Sequence, residues 1–173
     1  KSLVEKMGGS IAFTSQEGVG SQFVICIPFK IDEDHKNERV NESASASIEG
    51  LSVLLVEDNE LNMEIAKFII ENEGARVACA TNGKEAVDIY KNSPESFDII
   101  LMDIMMPKMD GLQATQVIRS FDQNVPIVAM TANAFAEDKM KAKKAGMNAH
   151  VSKPLDKDIL IRVISKLCGY KLK

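Results

Sequence analysis

Residues 51–58 read LSVLLVED, a short apolar run that ends in two acidic side chains. A second run, DIILMD at residues 98–103, also ends in an acid, Asp103. Short, nearly continuous runs of Val, Ile and Leu are typical of strands buried in a parallel sheet. Ligands bind at the carboxyl ends of such strands, so we expect Glu57, Asp58 and Asp103 to converge in one crevice.

Three carboxylates in one crevice repel one another and resist ionisation unless a cation compensates them. Carboxylate oxygens are the ligands that hard divalent ions prefer. The acidic cluster therefore predicts a bound divalent cation. Mg²⁺ is the natural candidate, because it needs only one or two carboxylates beside water and phosphate oxygens.

Downstream of the first apolar run, strand and helix periodicities alternate as in βαβ units. We predict an α/β fold with a five-stranded parallel sheet, helices on both faces and right-handed crossovers. In the first of these helices Leu61, Ile65, Phe68 and Ile69 are spaced as one buried stripe, and Gly74 is expected to cap its C-terminus. The predicted strands are 51–56, 76–80, 98–103, 126–131 and 148–152, and the predicted helices are 60–73, 83–92, 111–120, 137–145 and 156–168.

The chain has 173 residues, enough for one full domain and an appendage. Residues 31–49 have few large apolar side chains and many charged, Ser and Ala residues, which predicts a flexible acidic linker. We therefore predict a small fragment at 1–30, the linker, and a globular domain at 50–173. Because the chain begins at Lys1, without Met and inside a predicted helix, we expect it to be a piece of a longer protein.

The net charge of −4 argues against nucleic acid as the main partner, since binding to phosphate backbones needs a clustered basic surface. The three cysteines are widely spaced among apolar neighbours, which favours buried thiols in a reducing, cytoplasmic compartment. No apolar stretch approaches the ~20 residues that span a bilayer, so we expect no membrane contact by this segment and leave anchoring of a parent protein open. The basic cluster is expected to be a solvated helix face: Lys139, Lys141, Lys143 and Lys144.

Two more polar side chains end apolar strands. Thr131 closes PIVAMT, and Lys153 follows AHVS and precedes Pro154. On a parallel sheet these side chains share an edge with the three acids. An acceptor carboxylate, a divalent cation, a hydroxyl and a lysine together form a site for a phosphoryl group, whose transfer depends on positioning and charge neutralisation. Taken singly, Asp58 or Thr131 is equally explained as a helix cap, and Lys153 as an extended surface side chain.

Four motifs, LLVEDNELN, LMDIMMPKMDG, PIVAMTANA and VSKP, together resemble the receiver domain of two-component phosphorelays. The resemblance covers residues 51–168 and implies the flavodoxin-like receiver fold. It implies that Asp103 is the phosphoacceptor. It also implies that Mg²⁺ is bound by Glu57, Asp58, Asp103 and the backbone carbonyl of Met105.

The same resemblance implies that Thr131 is a switch hydroxyl and Lys153 the phosphoryl counter-ion. His150 lies where the family commonly has a switching aromatic residue, and the bond before Pro154 is a candidate for the cis form. The family often has Asp at the first acidic position. Glu57 has a longer arm, which is expected to hold Mg²⁺ through water.

Asn59 and Asn62 follow the acidic pair, and we interpret them as a helix cap and an exposed polar residue. Their pattern also resembles the receivers of hybrid kinases. Four methionines are interpreted as adaptable packing around the site rather than a cofactor stripe: Met102, Met105, Met106 and Met109.

Residues 1–30 predict a short helix ending at Gly8 and Gly9, then two strands around the turn at 17–20. Residues 1–29 resemble the C-terminal end of the ATP-binding domain of sensor histidine kinases, in which a helix ending in MGG precedes strands carrying EGxGSxF. That family's nucleotide-binding motifs are missing from this sequence. We therefore expect neither ATP binding nor kinase activity from these residues.

The order of kinase tail, acidic linker and receiver resembles the C-terminal end of a hybrid sensor histidine kinase. It implies that Asp103 accepts a phosphoryl group from the histidine-containing dimerisation domain of a parent kinase and passes it to a histidine phosphotransfer protein. The fragment would catalyse only its own phosphorylation and dephosphorylation.

Two other function classes stay open at this stage. A phosphohydrolase of the haloacid dehalogenase type needs a second Asp two residues after the first, where this chain has Met105. A phosphorylation-independent interaction module is disfavoured by the complete set of acids, Thr and Lys.

Two smaller hypotheses follow from the same sequence. We expect the His150 ring to turn inward when Thr131 moves, and identical His150 rotamers in unphosphorylated and beryllofluoride-bound crystals would contradict this. We also expect the exposed hairpin edge to pair two chains through residues 10–29. A sedimentation run that gives the same monomer with and without residues 1–30 would argue against that dimer.

Overall fold

The computed structural model describes residues 2–29, 47–93, 97–132 and 136–169. The chain divides into two compact units, Lys1–Ser43 and Ala44–Lys173. Most of the predicted linker falls on residues 30–46, which lie outside the described residues. The linker therefore stays a prediction.

The first unit contains the predicted short helix and hairpin. Helix α1 (Ser2–Lys6) is followed by strands β1 (Ser10–Gln16) and β2 (Gly20–Cys26), which pair antiparallel. Phe13 lies opposite Phe23, and their rings stack with centroids 5.8 Å apart. Cross-strand aromatic pairs of this kind stabilise hairpins.

The second unit alternates strands and helices, and every boundary agrees with the prediction to within one residue. The strands are β3 (Ser52–Val56), β4 (Arg76–Ala80), β5 (Ile99–Asp103), β6 (Ile127–Thr131) and β7 (Ala149–Ser152). The helices are α2 (Glu60–Asn72), α3 (Gly83–Asn92), α4 (Gly111–Arg119), α5 (Ala136–Ala145) and α6 (Lys157–Leu167).

All five strands are parallel, in the order β4-β3-β5-β6-β7. This is the doubly wound flavodoxin-like arrangement, and the chain reverses its direction across the sheet between β3 and β5. Ligand sites of such sheets form at this switch point, outside the carboxyl ends of the strands. The register brings those ends level, since Val56 pairs with Met102 and Asp103 pairs with Met130.

Successive strand residues alternate between two apolar clusters, one on each face of the sheet. In β3, Val53 and Leu55 belong to the cluster covered by α2 and α6, whereas Leu54 and Val56 belong to the cluster covered by α3, α4 and α5. All four side chains are fully buried. The sheet is thus covered on both sides, as the unbroken apolar runs predicted.

Helix α2 buries a different stripe from the predicted one. Its core-facing residues are Met63, Ala66 and Ile70. Of the predicted stripe, Ile69 packs against the core. The prediction is wrong for the other three residues, whose exposed fractions are 68%, 47% and 67%: Leu61, Ile65 and Phe68. Both stripes have helical spacing, so periodicity alone could not choose between them.

Three smaller expectations are also resolved. Gly74 ends α2 with φ of 82°, as predicted for a C-terminal cap. Ile48 lies in the segment predicted as linker but is fully buried in the core, so packing of the second unit begins before residue 50. Cys26 is exposed, which corrects the expectation of a buried thiol, whereas Cys79 and Cys168 are partly buried.

The predicted basic face of α5 is solvated, because Lys139, Lys141, Lys143 and Lys144 are all exposed. Among the described residues, no helix combines the length and apolar character that crossing a bilayer requires.

Gly111 allows α4 to start against the end of β5. Its backbone N–H donates to Ile104 O at 3.0 Å. A Cβ at this position would lie 2.0 Å from the backbone oxygen of Asp103 and 2.9 Å from the Met102 side chain. Only glycine permits this approach, so α4 is seated directly behind the last residue of β5.

Gly111→Ala should therefore displace either α4 or the end of β5. We expect a loss of about 3 kcal/mol in the free energy of unfolding, measured by urea denaturation. Gly50→Ala is the control, because Gly50 has φ of 80° but open space around its Cβ position. That control should lose about 1 kcal/mol from backbone strain alone. Equal losses in the two variants would contradict the close-approach argument.

Candidate functional site

The structure brings the three predicted acids together at the switch point of the sheet. Glu57 follows the last residue of β3, Asp58 comes next, and Asp103 is the last residue of β5. One carboxylate oxygen from each lies within 4.8 Å of the others. Glu57 and Asp103 are 2% and 6% exposed, whereas Asp58 is open to solvent. The crevice therefore has two buried acids and one at its mouth.

Lys153 supplies the positive charge that the buried acids require. Its Nζ lies 2.5 Å from Glu57 Oε2 and 2.7 Å from Asp103 Oδ2. Burial lowers the pKa of Lys153, but the hydrogen bonds to Asp103 and Glu57 outweigh it, so the pKa is raised and the ammonium form is retained. Lys153 thus acts as an internal cation between two carboxylates.

The surroundings of Asp103 disfavour its ionised form in spite of the ion pair with Lys153. Burial raises the pKa of Asp103, and the nearby Glu57 carboxylate adds to this. The hydrogen bond and charge of Lys153 act in the opposite direction but do not fully compensate, and the pKa stays raised. The ionised Asp103 side chain is therefore incompletely stabilised when no further cation is present.

Backbone hydrogen bonds hold the strand ends in register around the crevice. The Glu57 N–H donates to Ala80 O at 3.0 Å. The Lys153 N–H donates to Thr131 O at 2.8 Å, so the two other predicted site residues lie side by side. Thr131 is buried, and the Met105 N–H donates to Asp103 Oδ1 at 3.2 Å. The Ile104–Met105 peptide is thereby tied to the Asp103 carboxylate.

Asn62 is a site residue that sequence reasoning missed. We expected an exposed polar side chain, but Asn62 is partly buried and its Nδ2 donates to Glu57 Oε1 at 3.0 Å. Asn59 does cap α2, as expected, by accepting from the Asn62 backbone N–H at 3.0 Å. The signal that could have found Asn62 is its place in the first helical turn after the acidic pair.

The other predicted switch residues, His150 and Pro154, lie within three residues of Lys153 in the sequence. His150 is partly buried in β7, and burial followed by the charge of Lys139 lowers the pKa of its imidazole. The Lys153–Pro154 peptide bond is cis.

The packing interpretation of the four methionines is right for Met102, Met106 and Met109 and wrong for Met105, whose side chain is 79% exposed.

The donor set fits a hard divalent cation. Three carboxylates present oxygen atoms to one point, and the raised pKa of Asp103 marks negative charge that the crevice only partly neutralises. Mg²⁺ prefers such oxygen ligands and keeps several of its waters, which the exposed Asp58 side of the crevice admits. Glu57, Asp58 and Asp103 are therefore the residues that could hold it.

Comparison with known proteins identifies the second unit. The response regulator receiver domain family matches residues 53–165, which is more than half of the chain. The chain belongs to this family. Receiver domains are components of two-component signal transduction, and the relatives of this chain include sensor proteins and the hybrid signal transduction histidine kinase M of Dictyostelium discoideum. The aerobic respiration control sensor protein ArcB of Escherichia coli is 35% identical over 167 residues, 95% of this chain. The chain spans only 21% of the length of that relative.

Solved receiver domains share the fold. The receiver domain of the sensor histidine kinase PA1611 from Pseudomonas aeruginosa, solved with a magnesium ion in its active site cleft, is 36% identical with a TM-score of 0.65. The match covers 69% of this chain and 98% of that one. The receiver domain of Saccharomyces cerevisiae Ssk1, solved with the histidine phosphotransfer protein Ypd1, is 31% identical with a TM-score of 0.65. That match covers 70% of this chain and 90% of the other.

The raised pKa of Asp103 predicts a pH-dependent effect of Asp103→Asn on stability. Because its pKa is raised in the folded state, the contribution of Asp103 to stability is fully present below the ordinary pKa range of Asp. That contribution is lost as the pH rises through the raised pKa. The amide does not ionise. In metal-free buffer we therefore expect the stability gain of Asp103→Asn over the native receiver to be larger at pH 7 than at pH 4, by urea denaturation. Asp88→Asn, at an exposed position of α3, is the control. A gain that is equal at both pH values would contradict the electrostatic reading of Asp103.

Proposed function

We propose that this chain is the phosphorelay receiver of a hybrid sensor histidine kinase. Asp103 takes a phosphoryl group from a phosphohistidine and passes it to a histidine phosphotransfer protein. The observation that carries the proposal is the meeting of Glu57, Asp58, Asp103 and Lys153 at the sheet's switch point. A surface ion pair with a purely structural role needs only one acid. Here three acids converge, and two of them are buried.

Asp103 is the acceptor in this proposal. One of its oxygens forms the new P–O bond while the P–N bond of the donor breaks, and the imidazole nitrogen keeps the electron pair. Onward transfer reverses these roles. Asp103 suits the task because it is buried at a strand end and its carboxylate is oriented by the Met105 N–H and the Lys153 ammonium. Phosphoryl transfer needs such positioning and charge stabilisation more than covalent chemistry by other groups.

A Mg²⁺ ion held by Glu57, Asp58, Asp103 and the backbone carbonyl of Met105 would neutralise charge on the phosphoryl oxygens. The magnesium ion bound by the PA1611 receiver supports this assignment. Asp58 would contribute from the open side of the crevice and Glu57 from the buried side. Neither residue is displaced by the reaction, so the cation ligands and the acceptor can act together.

Thr131, Lys153 and His150 form the proposed switch. A phosphoryl group on Asp103 adds anionic oxygens within reach of the groups that now contact the carboxylate. Lys153 would exchange its bond to Asp103 for a bond to the phosphoryl group, and the Thr131 hydroxyl would follow. Because the Lys153 N–H is bonded to Thr131 O, the two loops would move as one. His150 and the cis bond before Pro154 belong to the same moving segment.

The kinase context rests on residues 1–30, which resemble the end of an ATP-binding domain. The match to ArcB covers 95% of the chain, so only a few residues lie outside it. It must therefore include most of the first unit as well as the receiver. This supports a parent sensor protein that carries the donor histidine; we further propose that this fragment lies on the cytoplasmic side and has no kinase activity of its own.

The α2 stripe, defined as Leu61, Ile65 and Phe68, supports a protein partner. These apolar side chains are exposed on a helix that starts three residues after Glu57. Exposed apolar clusters beside a reactive site are typical of partner docking, and an apolar helix face suits another helix. The Ssk1 receiver in complex with Ypd1 supports a histidine phosphotransfer protein as that partner.

Incubation with acetyl phosphate and Mg²⁺, followed by intact-mass measurement, tests the proposal. We expect one phosphoryl group on the native chain, none after chelation of Mg²⁺, and none on Asp103→Asn. Asp88→Asn should behave like the native chain, because Asp88 lies exposed on α3. Release of free phosphate without an adduct would favour a phosphohydrolase. Neither adduct nor phosphate would favour an interaction module and contradict the receiver function.

Truncation of the α2 stripe tests the partner surface. Leu61→Ala combined with Phe68→Ala should slow phosphoryl transfer from a purified phosphotransfer protein at least tenfold, since buried apolar anchors contribute more than 1 kcal/mol each to binding. Labelling by acetyl phosphate should be unchanged. Ile159→Ala, at an exposed position of α6, is the control. Equal transfer rates for the double variant and the native chain would show that docking occurs elsewhere.

A further inference from the structure

The Glu57 carboxylate is held at both of its oxygens. Oε1 accepts from Asn62 Nδ2 at 3.0 Å, and Oε2 lies 2.5 Å from Lys153 Nζ. The side chain is 2% exposed, so water does not compete strongly for either oxygen. A glutamate has one more rotatable bond than an aspartate, and each of these contacts restricts where the longer arm can go.

The two contacts differ in what they do to an incoming cation. The Lys153 ammonium is itself a cation, so it competes with a metal ion for the charge of Glu57. The Asn62 amide is neutral. It orients the carboxylate without using up its negative charge, and it contacts only Oε1, so a metal has to replace only the Lys153 contact at Oε2. Asn62 is thus the contact of Glu57 that is compatible with a bound cation.

The local structure fixes the Asn62 amide in place. Asn62 is the third residue of α2, and its backbone N–H donates to the Asn59 side chain at the helix start. Side chains on a helix lean toward its N-terminus, which here faces the end of β3 and Glu57. The helix cap and the helix direction therefore aim the Asn62 amide at Glu57.

We propose that Asn62 is a positioning residue that orients Glu57 for divalent cation binding. The inference rests on the proposed function, since it takes Mg²⁺ as the ligand of the acidic cluster. It goes beyond that function by assigning a role to a residue outside the acid, Thr and Lys set. It also explains how a glutamate, whose side chain is one carbon longer than that of aspartate, can serve at this position.

Calorimetric titration of the full 173-residue chain with MgCl₂ tests the inference without any phosphoryl donor. Asn62→Ala should weaken Mg²⁺ binding about tenfold, the lower end of the 10–100-fold losses seen when groups that orient metal ligands are removed. Asn62→Leu has similar volume and no donor, and it should show the same loss. If the Ala variant does not fold, the Leu variant decides the outcome. Asn72→Ala, exposed at the other end of α2, should bind Mg²⁺ like the native chain.

The Glu57→Asp background separates orientation from a general effect on the helix. Its shorter arm withdraws the carboxylate from the amide, so Asn62→Ala should then change Mg²⁺ affinity less than twofold. Native affinity in Asn62→Ala, or an equal loss in both backgrounds, would overturn the inference and leave the proposed function intact. Absence of Mg²⁺ binding by the native chain would overturn both.

Discussion

The Lys153 ammonium lies between the Glu57 and Asp103 carboxylates, and the rest of the site depends on this contact. Two carboxylate oxygens within 4.8 Å of each other repel by at least about 3 kcal/mol at an effective dielectric constant of about 20. One cation within 2.7 Å of both offsets that repulsion and keeps the strand ends together. The same balance leaves Asp103 with a raised pKa. The crevice is therefore compatible with a folded domain, but Lys153 neutralises its negative charge only in part.

The fold supplies this crevice through the order of its strands. Glu57 follows β3 and Asp103 ends the neighbouring β5, and these strands lie on either side of the point where the chain reverses across the sheet, which is where such sheets leave a crevice. Gly111 brings α4 directly behind Asp103. Helix α2 begins just after the acidic pair and leaves an apolar stripe facing outward. Acceptor, cation ligands and the proposed docking surface thus share one edge of the sheet.

Much of this arrangement could be predicted from the sequence, because parallel strands buried on both faces leave short apolar runs with sharp ends. The strand ends then determine which polar side chains meet, and Asp103 was found in that way. The α2 stripe was assigned to the wrong side, because two apolar stripes have the same spacing and only tertiary packing chooses between them. Ile48 was not recognised as a core residue, because it lies in a charged segment of the sequence. The contact of Asn62 with Glu57 depends on side-chain direction at a helix start, which no periodicity reveals.

A titration of the ¹⁵N-labelled chain with Mg²⁺, followed by ¹H–¹⁵N NMR, tests the central claim most directly. The account predicts that the backbone amide shifts are concentrated at Asp58, Ile104, Met105 and Lys153, at the carboxyl ends of three different strands, and that Asp103→Asn abolishes them. Shifts centred on another acidic surface, such as the exposed part of α3, or no shifts at all, would contradict a common cation-binding crevice.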